Sequence, residues 1–317
     1  KKNIKYNHII SLESTVYPGA TRMLAKKIIT KKFEIGKNLF IGYSPERENP
    51  GDKKFSYHNT PKVISGYSKV CLNLVKLIYQ NFVKKLILAK QIEEAELSKL
   101  IENLYRAVNI GLVNELKIIC KKLNIDVLNT INIASTKNFG FQKFLPGPGL
   151  GGHCIPIDPF YLSWISNKNG YNPKFIKLAG IINSKIPLWT FRQIMKKVKY
   201  KKNLKFLLLG LSYKKNVDDD RESPTYEFIK ILNKNKILYD YSDPFFRKTR
   251  QGRQNKESKI SIKLNKINLS KYDATILLTD HDKFDYKLIA KYSKLIFDTR
   301  GKYKNINIKD YKNIIFC

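Results

Sequence analysis

Cys154 stands in the stretch 146–162, PGPGLGGHCIPIDPFYL, directly after the Gly151-Gly152 pair and four residues before Asp158. Glycine lets a backbone approach a ligand closely and take positive φ, and proline stiffens the same segment. A rigid, open loop that carries a thiol can present a nucleophile. The same residues suit a structural turn whose cysteine only packs, and a lone Cys beside His153 does not decide between the two. A second pair lies upstream. Lys99 and Asn103 are four residues apart in a helical pattern, so they share a face, on a flank of its apolar stripe. In isolation the two read as a solvated pair.

The elements that must position these groups read as follows. HIISLES (8–14) is a short apolar run fitting a buried strand, which puts Ser14 and Thr15 at its carboxyl end, where open α/β sheets place ligands. A turn and a helix follow, then strands at LFIGYSP (39–45) and KVISGYS (62–68), with a helix over VCLNLVKLIYQNF. From Gln91 to Leu123, Ala95, Leu100, Leu104, Val108, Leu112, Leu116 and Ile119 recur at three- and four-residue steps, which predicts one long amphipathic helix. The region from Pro159 to Val198 reads as a second helical stretch, and KKVKYKKNLK (196–205) as a charged linker. NLKFLLLGLSYKKNVDDDRESP (203–224) then opens another doubly wound sheet, with a helix starting near Ser223-Pro224. Only Gly210 occupies its first strand-to-helix turn, so this domain lacks the dinucleotide fingerprint and suits a nucleoside diphosphate.

The 317 residues predict more than one domain, and a hydrophobic share of 43% fits a globular chain. Lys+Arg outnumber Asp+Glu by 60 to 26, for a formal charge of +34. Such a charge raises nucleic-acid binding. However, the lysines are spread along the whole chain, and no helix-turn-helix, zinc-finger or RNA-binding signature accompanies them. Solvated lysines and anionic small molecules account for the excess without a specific nucleic-acid partner. The four cysteines show neither a disulfide framework nor zinc spacing, which excludes a metal site on this signal and fits a cytoplasmic protein. No apolar run reaches membrane-spanning length; LKFLLLGL reads as a buried strand.

Five segments, in this order, resemble the nucleotide-sugar 6-dehydrogenases, the family of the UDP-glucose, GDP-mannose and UDP-N-acetylhexosamine dehydrogenases. They are STVYPGAT (14–21), GYSPERENPGD (42–52), AELSKLIENLYRAVNIGLVNEL (95–116), FLPGPGLGGHCIPIDPFYLSW (144–164) and LGLSYKKNVDDDRESP (209–224). The resemblance implies NAD-dependent oxidation of a sugar C6 alcohol to a carboxylate, with two NAD+ per turnover. Cys154 would be the nucleophile, capturing the aldehyde as a thiohemiacetal that becomes a thioester and is released by water. Lys99 and Asn103 would stabilise the oxyanion-like states, Asp158 and Glu46 would serve proton transfer and water ordering, and Thr15 would position a water. The loop bearing Leu145, Gly147, Gly149, Leu150 and Gly151 would fold around the UDP-sugar, with Lys214 at its phosphates. Arg221, with Thr15 and Cys154, would meet the cofactor.

Each role has a structural counterpart: Thr15 as a helix cap, Glu46 as a turn carboxylate, Asp158 as a cap, and Arg221 paired with Asp218, Asp219 or Asp220. His153 is read as a substrate-side or structural histidine, and Pro50 stands where the family often has a second glutamate. Ile157 before Asp158, with GGHC and SPERENPGD, is similar to the UDP-N-acetylhexosamine branch, which ranks UDP-N-acetylglucosamine first, UDP-N-acetylmannosamine second and UDP-glucose third.

The implied fold is α/β, with two Rossmann-like doubly wound domains joined by a long central helix and the first domain truncated at its N-terminus. Residues 1–90 would be the later half of the NAD-binding domain, 91–198 a helical dimerisation and substrate domain, and 199–317 the UDP-sugar domain. The chain begins at Lys1, and the leading half of a dinucleotide fold does not precede HIISLES. This fits either a fragment or a naturally short protein. A catalytically silent nucleotide-sugar binder is the competing class. The long helix is also expected to carry a homodimer contact, and surface-polysaccharide precursor synthesis is the expected setting.

Overall fold

Strand β1 (His8–Leu12) opens the first of two sheets in a computed structural model that describes residues 3–29, 32–48, 56–152, 154–199, 201–250, 258–306 and 312–317. Helix α1 (Ala20–Ile28), β2 (Leu39–Tyr43), β3 (Lys62–Gly66), α2 (Lys69–Tyr79) and β4 (Leu86–Leu88) complete this region. The strand order is β1-β2-β3-β4. Strands β1 and β2 run parallel in the register Ile10↔Ile41, whereas β2 and β3 are antiparallel, with Gly42 opposite Gly66. The sheet is therefore mixed. A parallel return needs a crossover element, and the described residues between β2 and β3 contain no helix. Ser68 caps α2 by accepting from Cys71 N at 3.3 Å.

Helix α3 (Ile92–Lys122) covers the predicted long helix almost end to end. Glu93 and Glu94 lie in its first turn and Lys121 and Lys122 in its last, each favourable to the helix dipole. The expected second helical stretch is instead two helices, α5 (Asp158–Lys168) and α6 (Lys174–Met195). Gly170, at φ +84°, and Pro173 end one and begin the next. A short helix, α4 (Val127–Ala134), precedes them, N-capped by Asp126.

The second sheet is wholly parallel, in the order β6-β5-β7-β8-β9. Its strands are β5 (Lys205–Leu209), β6 (Leu238–Ser242), β7 (Ala274–Leu277), β8 (Ile296–Asp298) and β9 (Ile314–Phe316). Helices α7 (Pro224–Lys234), α8 (Lys266–Ser270), α9 (Tyr286–Tyr292) and α10 (Lys302–Asn305) accompany it. The unbroken apolar run of β5 follows from burial on both faces. Phe206 and Leu208 pack with Phe228, Ile229 and Leu232 of α7, while Leu207 and Leu209 pack with Leu269 and Ile289 on the other side. As expected, a helix begins at Ser223-Pro224: Pro224 takes the first position of α7, and Ser223 caps it.

The chain divides into two compact units. Unit 1 holds Lys1–Arg106 and Ile157–Lys177, and unit 2 holds Ala107–Pro156 and Leu178–Cys317. No helix among the described residues is long and apolar enough to cross a membrane.

Candidate active site

The residues singled out by sequence fall into two groups, one in each unit. In unit 1, α3 carries Lys99 and, one turn on, Asn103. Asn103 is 5% exposed and donates from Nδ2 to Asp158 Oδ2 at 2.6 Å; Asp158 is 4% exposed and begins α5. A buried hydrogen bond to a carboxylate is worth about 1.5–3 kcal/mol, so it fixes both groups. Lys99 is half-buried and makes no hydrogen bond or ion pair to another described residue, which leaves its ammonium available.

Thr15 follows β1 and lies four residues before Gly19, the residue that N-caps α1, so it does not cap that helix. The cap comes from a residue the sequence reading missed. Fully buried Glu96 of α3 accepts from Gly19 N at 2.6 Å and Thr21 N at 2.8 Å. Burial pushes its carboxyl up, against the downward pull of these bonds. Its only sequence signal is an acid beside Ala95 in the apolar stripe. Tyr17 stacks on Trp164 of α5 at 4.9 Å, pinning the same loop.

Glu46 lies in the turn after β2 and is exposed. Its Oε1 accepts from Arg47 N and Glu48 N at 2.7 Å each, as a turn carboxylate does, while Oε2 stands 3.8 Å from Lys62 Nζ. Lys62, which begins β3, is 4% exposed and also stands 3.8 Å from Glu13 Oε1. Tyr79 donates to Glu13, and its phenol is raised by burial and by that bond. Arg47 docks the turn on α3 through Glu102, at 2.6 Å. Pro50 and His153 lie outside the described residues.

In unit 2 the glycine-rich loop is held by buried polar groups that the sequence reading missed. Gly147 N donates to Asn114 Oδ1 at 3.0 Å, Asn114 donates to Asn183 Oδ1 at 3.0 Å, and Asn183 donates to Ala107 O at 3.0 Å. Lys117 donates to Gly147 O at 3.2 Å. Gly149 and Leu150 are half-buried, and Leu145 is exposed. A Cβ on Gly151 would stand 2.7 Å from Pro224 Cδ and 3.0 Å from Glu222 O, so only glycine fits this approach. Gly152, at φ +92°, donates to Arg221 O at 3.2 Å.

Cys154 is half-buried, and its thiol is close enough to Arg221 to raise the guanidinium's pKa, after the larger effect of Asp219. Arg221 grips Asp219 through two nitrogens, at 3.0 and 2.7 Å, so of the three aspartates this one is its partner. Asp220 pairs instead with Arg250 at 3.0 Å. Lys214 is half-buried in the loop after β5. Asp243 braces that loop by accepting from Leu211 N at 2.6 Å and Ser212 N at 3.2 Å. It also meets His281 Nε2 at 3.1 Å, while Asn216 N donates to His281 Nδ1, which places the imidazole proton on Nε2. Burial pushes the Asp243 carboxyl up, but His281 and the backbone donors outweigh it and hold it below the ordinary range.

Thr15 stands at the carboxyl end of a parallel strand pair, the usual ligand position of such sheets. At the start of α1 the N–H groups of Gly19 and Thr21 are taken by Glu96 and that of Ala20 by Tyr17 O. Among the described residues no group of three His, Cys, Asp or Glu could hold a metal.

Three family models match, each described as part of the UDP-glucose/GDP-mannose dehydrogenase family: the NAD binding domain over residues 1–83, the central domain over 93–185 and the UDP binding domain over 207–305. The UDP-N-acetyl-D-glucosamine 6-dehydrogenase of Salmonella typhi is 34% identical over 92% of this chain and 70% of its own length. The UDP-N-acetyl-D-mannosamine dehydrogenase of Methanococcus maripaludis is 32% identical over 98% of this chain and 68% of its own length. A solved UDP-D-ManNAc dehydrogenase from Pyrococcus horikoshii superposes with a TM-score of 0.83 at 28% identity, covering 99% of this chain and 73% of that one. The chain belongs to the UDP-glucose/GDP-mannose dehydrogenase family, a family of NAD-dependent oxidoreductases. The NAD-domain match begins at residue 1 and so gives no support to a first domain cut short.

Proposed function

We propose that the chain oxidises the C6 alcohol of a UDP-N-acetylhexosamine to the uronic acid, with Cys154 as the covalent nucleophile. The observation that carries this reading is the buried Asn103–Asp158 bond at 2.6 Å, one turn from the available ammonium of Lys99, in a member of this family. NAD+, when bound, supplies the hydride acceptor; Thr15 and Arg221 would hold it. The chain's own residues do the rest. The C6 alcohol, losing a proton and a hydride to a first NAD+, would become the aldehyde; the Cys154 thiolate adds to it to give a thiohemiacetal, which, losing a hydride to a second NAD+, would become a thioester. Water then cleaves the C–S bond, returning the thiol and releasing the carboxylate. Lys99 and Asn103 steady the oxyanions. Asp158 moves the proton, and Glu46, held by its turn and Lys62, orders the water with Thr15. Leu145, Gly147, Gly149, Leu150 and Gly151 would wrap the UDP-sugar, and Lys214 would meet its diphosphate.

UDP-N-acetylglucosamine is the first-ranked substrate, ahead of UDP-N-acetylmannosamine and UDP-glucose. The relatives from Salmonella typhi and Methanococcus maripaludis carry the first two names. The division into 1–90, 91–198 and 199–317 is proposed as the functional one, in line with the three family-model ranges. A homodimer through α3 is supported by its exposed Ile101, Tyr105, Leu112, Leu116 and Ile119. A cytoplasmic role in making polysaccharide precursors accords with four cysteines that form no disulfide. The test is NADH formation with the three UDP-sugars. Two NADH per UDP-N-acetylhexosamine consumed is expected; UDP binding without NADH from any of them would replace this reading with a silent binder.

A further inference from the structure

Unit 2 contains a cavity of about 230 Å³ that none of the sequence-predicted site residues lines. Its walls are the C-terminal end of α3, the turn into α4, Pro146, Trp189 of α6 and the ends of β8 and β9. The space exceeds the roughly 30 Å³ share of one water several-fold. Three cations face it, Lys117, Lys121 and Lys304, and two carboxylates, Asp126 and Asp298.

Both acids are already engaged. Asp126 takes the Lys304 ammonium and the N–H groups of Leu128 and Asn129. Asp298 takes the N–H groups of Arg300, Gly301 and Tyr303. Lys117 has no such partner. It is 4% exposed, donates to Gly147 O and lies 5.2 Å from the centre of the Trp189 ring. No carboxylate among the described residues is within ion-pair distance of it, or of Lys121 one turn on. An ammonium has three donors, and a buried charge lacking a counter-ion is costly. Burial lowers the Lys117 pKa to about 8; the charges of Cys317 and Asp298, which also line the cavity, pull it back up in part, and those of Arg300 and Lys121 push it further down.

We propose that this cavity is a second ligand site, which takes a small oxyanion, carboxylate or phosphate, borne on a compact flat apolar body. Lys117 and Lys121 bind the oxyanion, and the body lies against Trp189 and Phe316. The site stands apart from the dehydrogenase reading, and its test needs no turnover.

The chain has two tryptophans, Trp164 and Trp189, so Trp164→Phe leaves Trp189 as the sole indole fluorophore. Titrating this variant with benzoate and with phenyl phosphate, at matched ionic strength, should give a saturable change in emission below about 10 mM. Response to one probe alone assigns the oxyanion. Adding Lys117→Met should weaken binding at least about tenfold. Should that double variant not fold by circular dichroism, Lys121→Met in the same background carries the test and should weaken binding about threefold or more. No saturable change with either probe, or equal affinity in the lysine variant, overturns the proposal.

Discussion

Lys62 in unit 1 and Lys117 in unit 2 are both 4% exposed, yet they are buried in opposite ways. Lys62 stands between two carboxylates, Glu13 and Glu46, and faces the rings of Tyr57 and Tyr79. Lys117 has one carbonyl, one indole face and a cavity. A lysine paired with acids is a tie, and removing it strands two charges. A lysine paired with a carbonyl retains unmet demand for an anion, and removing it relieves a desolvated charge. Two buried acids of unit 1 are likewise paired, Asp158 with Asn103 and Glu96 with the start of α1, whereas Lys99 is left open. Unit 2 uses neutral amide ladders to hold its loop and leaves a cation open.

The largest expected effect comes from breaking a closed pair in unit 1. Asp158→Asn should lower NADH formation by about 10²–10⁴-fold with the fold intact by circular dichroism; a loss under about threefold would reduce the pair to a helix tie.

Next is the pH dependence of unit 2. Lys117 titrates near 8 when folded and at the ordinary 10.5 when unfolded, so between these values the unfolded chain binds more protons. Stability therefore rises with pH across this window, by on the order of 3 kcal/mol relative to Lys117→Met. Urea unfolding of the two proteins at pH 7.5 and above checks the sign, and parallel curves would refute it.

At neutral pH the two lysines should part company. Lys62→Met should cost about 1–2 kcal/mol, a value reduced because Glu13 and Glu46 are partly exposed, whereas Lys117→Met should cost less than about 1 kcal/mol or stabilise. Equal losses in urea melts would erase the comparison. Between these two lysine variants falls Glu96→Gln, expected to cost about 1 kcal/mol through the weaker cap on α1, read by the same melts.

Much of this arrangement was legible in sequence because it is local. The repeat in 91–123 became α3 to within a residue at each end, Ser223-Pro224 began α7, and β5 emerged from its apolar run. The break between α5 and α6 was also written, in Gly170 and Pro173, although the reading passed over it. What could not be read joins residues far apart in the chain. Glu96 reaches Gly19 across 77 positions and His281 reaches Asp243 across 38. Lys62 was one lysine among many until β3 turned antiparallel and set it beside Glu46. Asn114 looked like one more polar flank of a helix, but its partner Asn183 lies on α6.

The covalent role of Cys154 is the claim on which the catalytic account stands. Rapid acid quench of the Asp158→Asn variant with UDP-N-acetylglucosamine and NAD+, followed by peptide mass mapping, tests it directly. The account predicts an added UDP-N-acetylhexosaminuronyl group on the peptide containing Cys154. An unmodified peptide, together with undiminished NADH formation by Cys154→Ala, would contradict it.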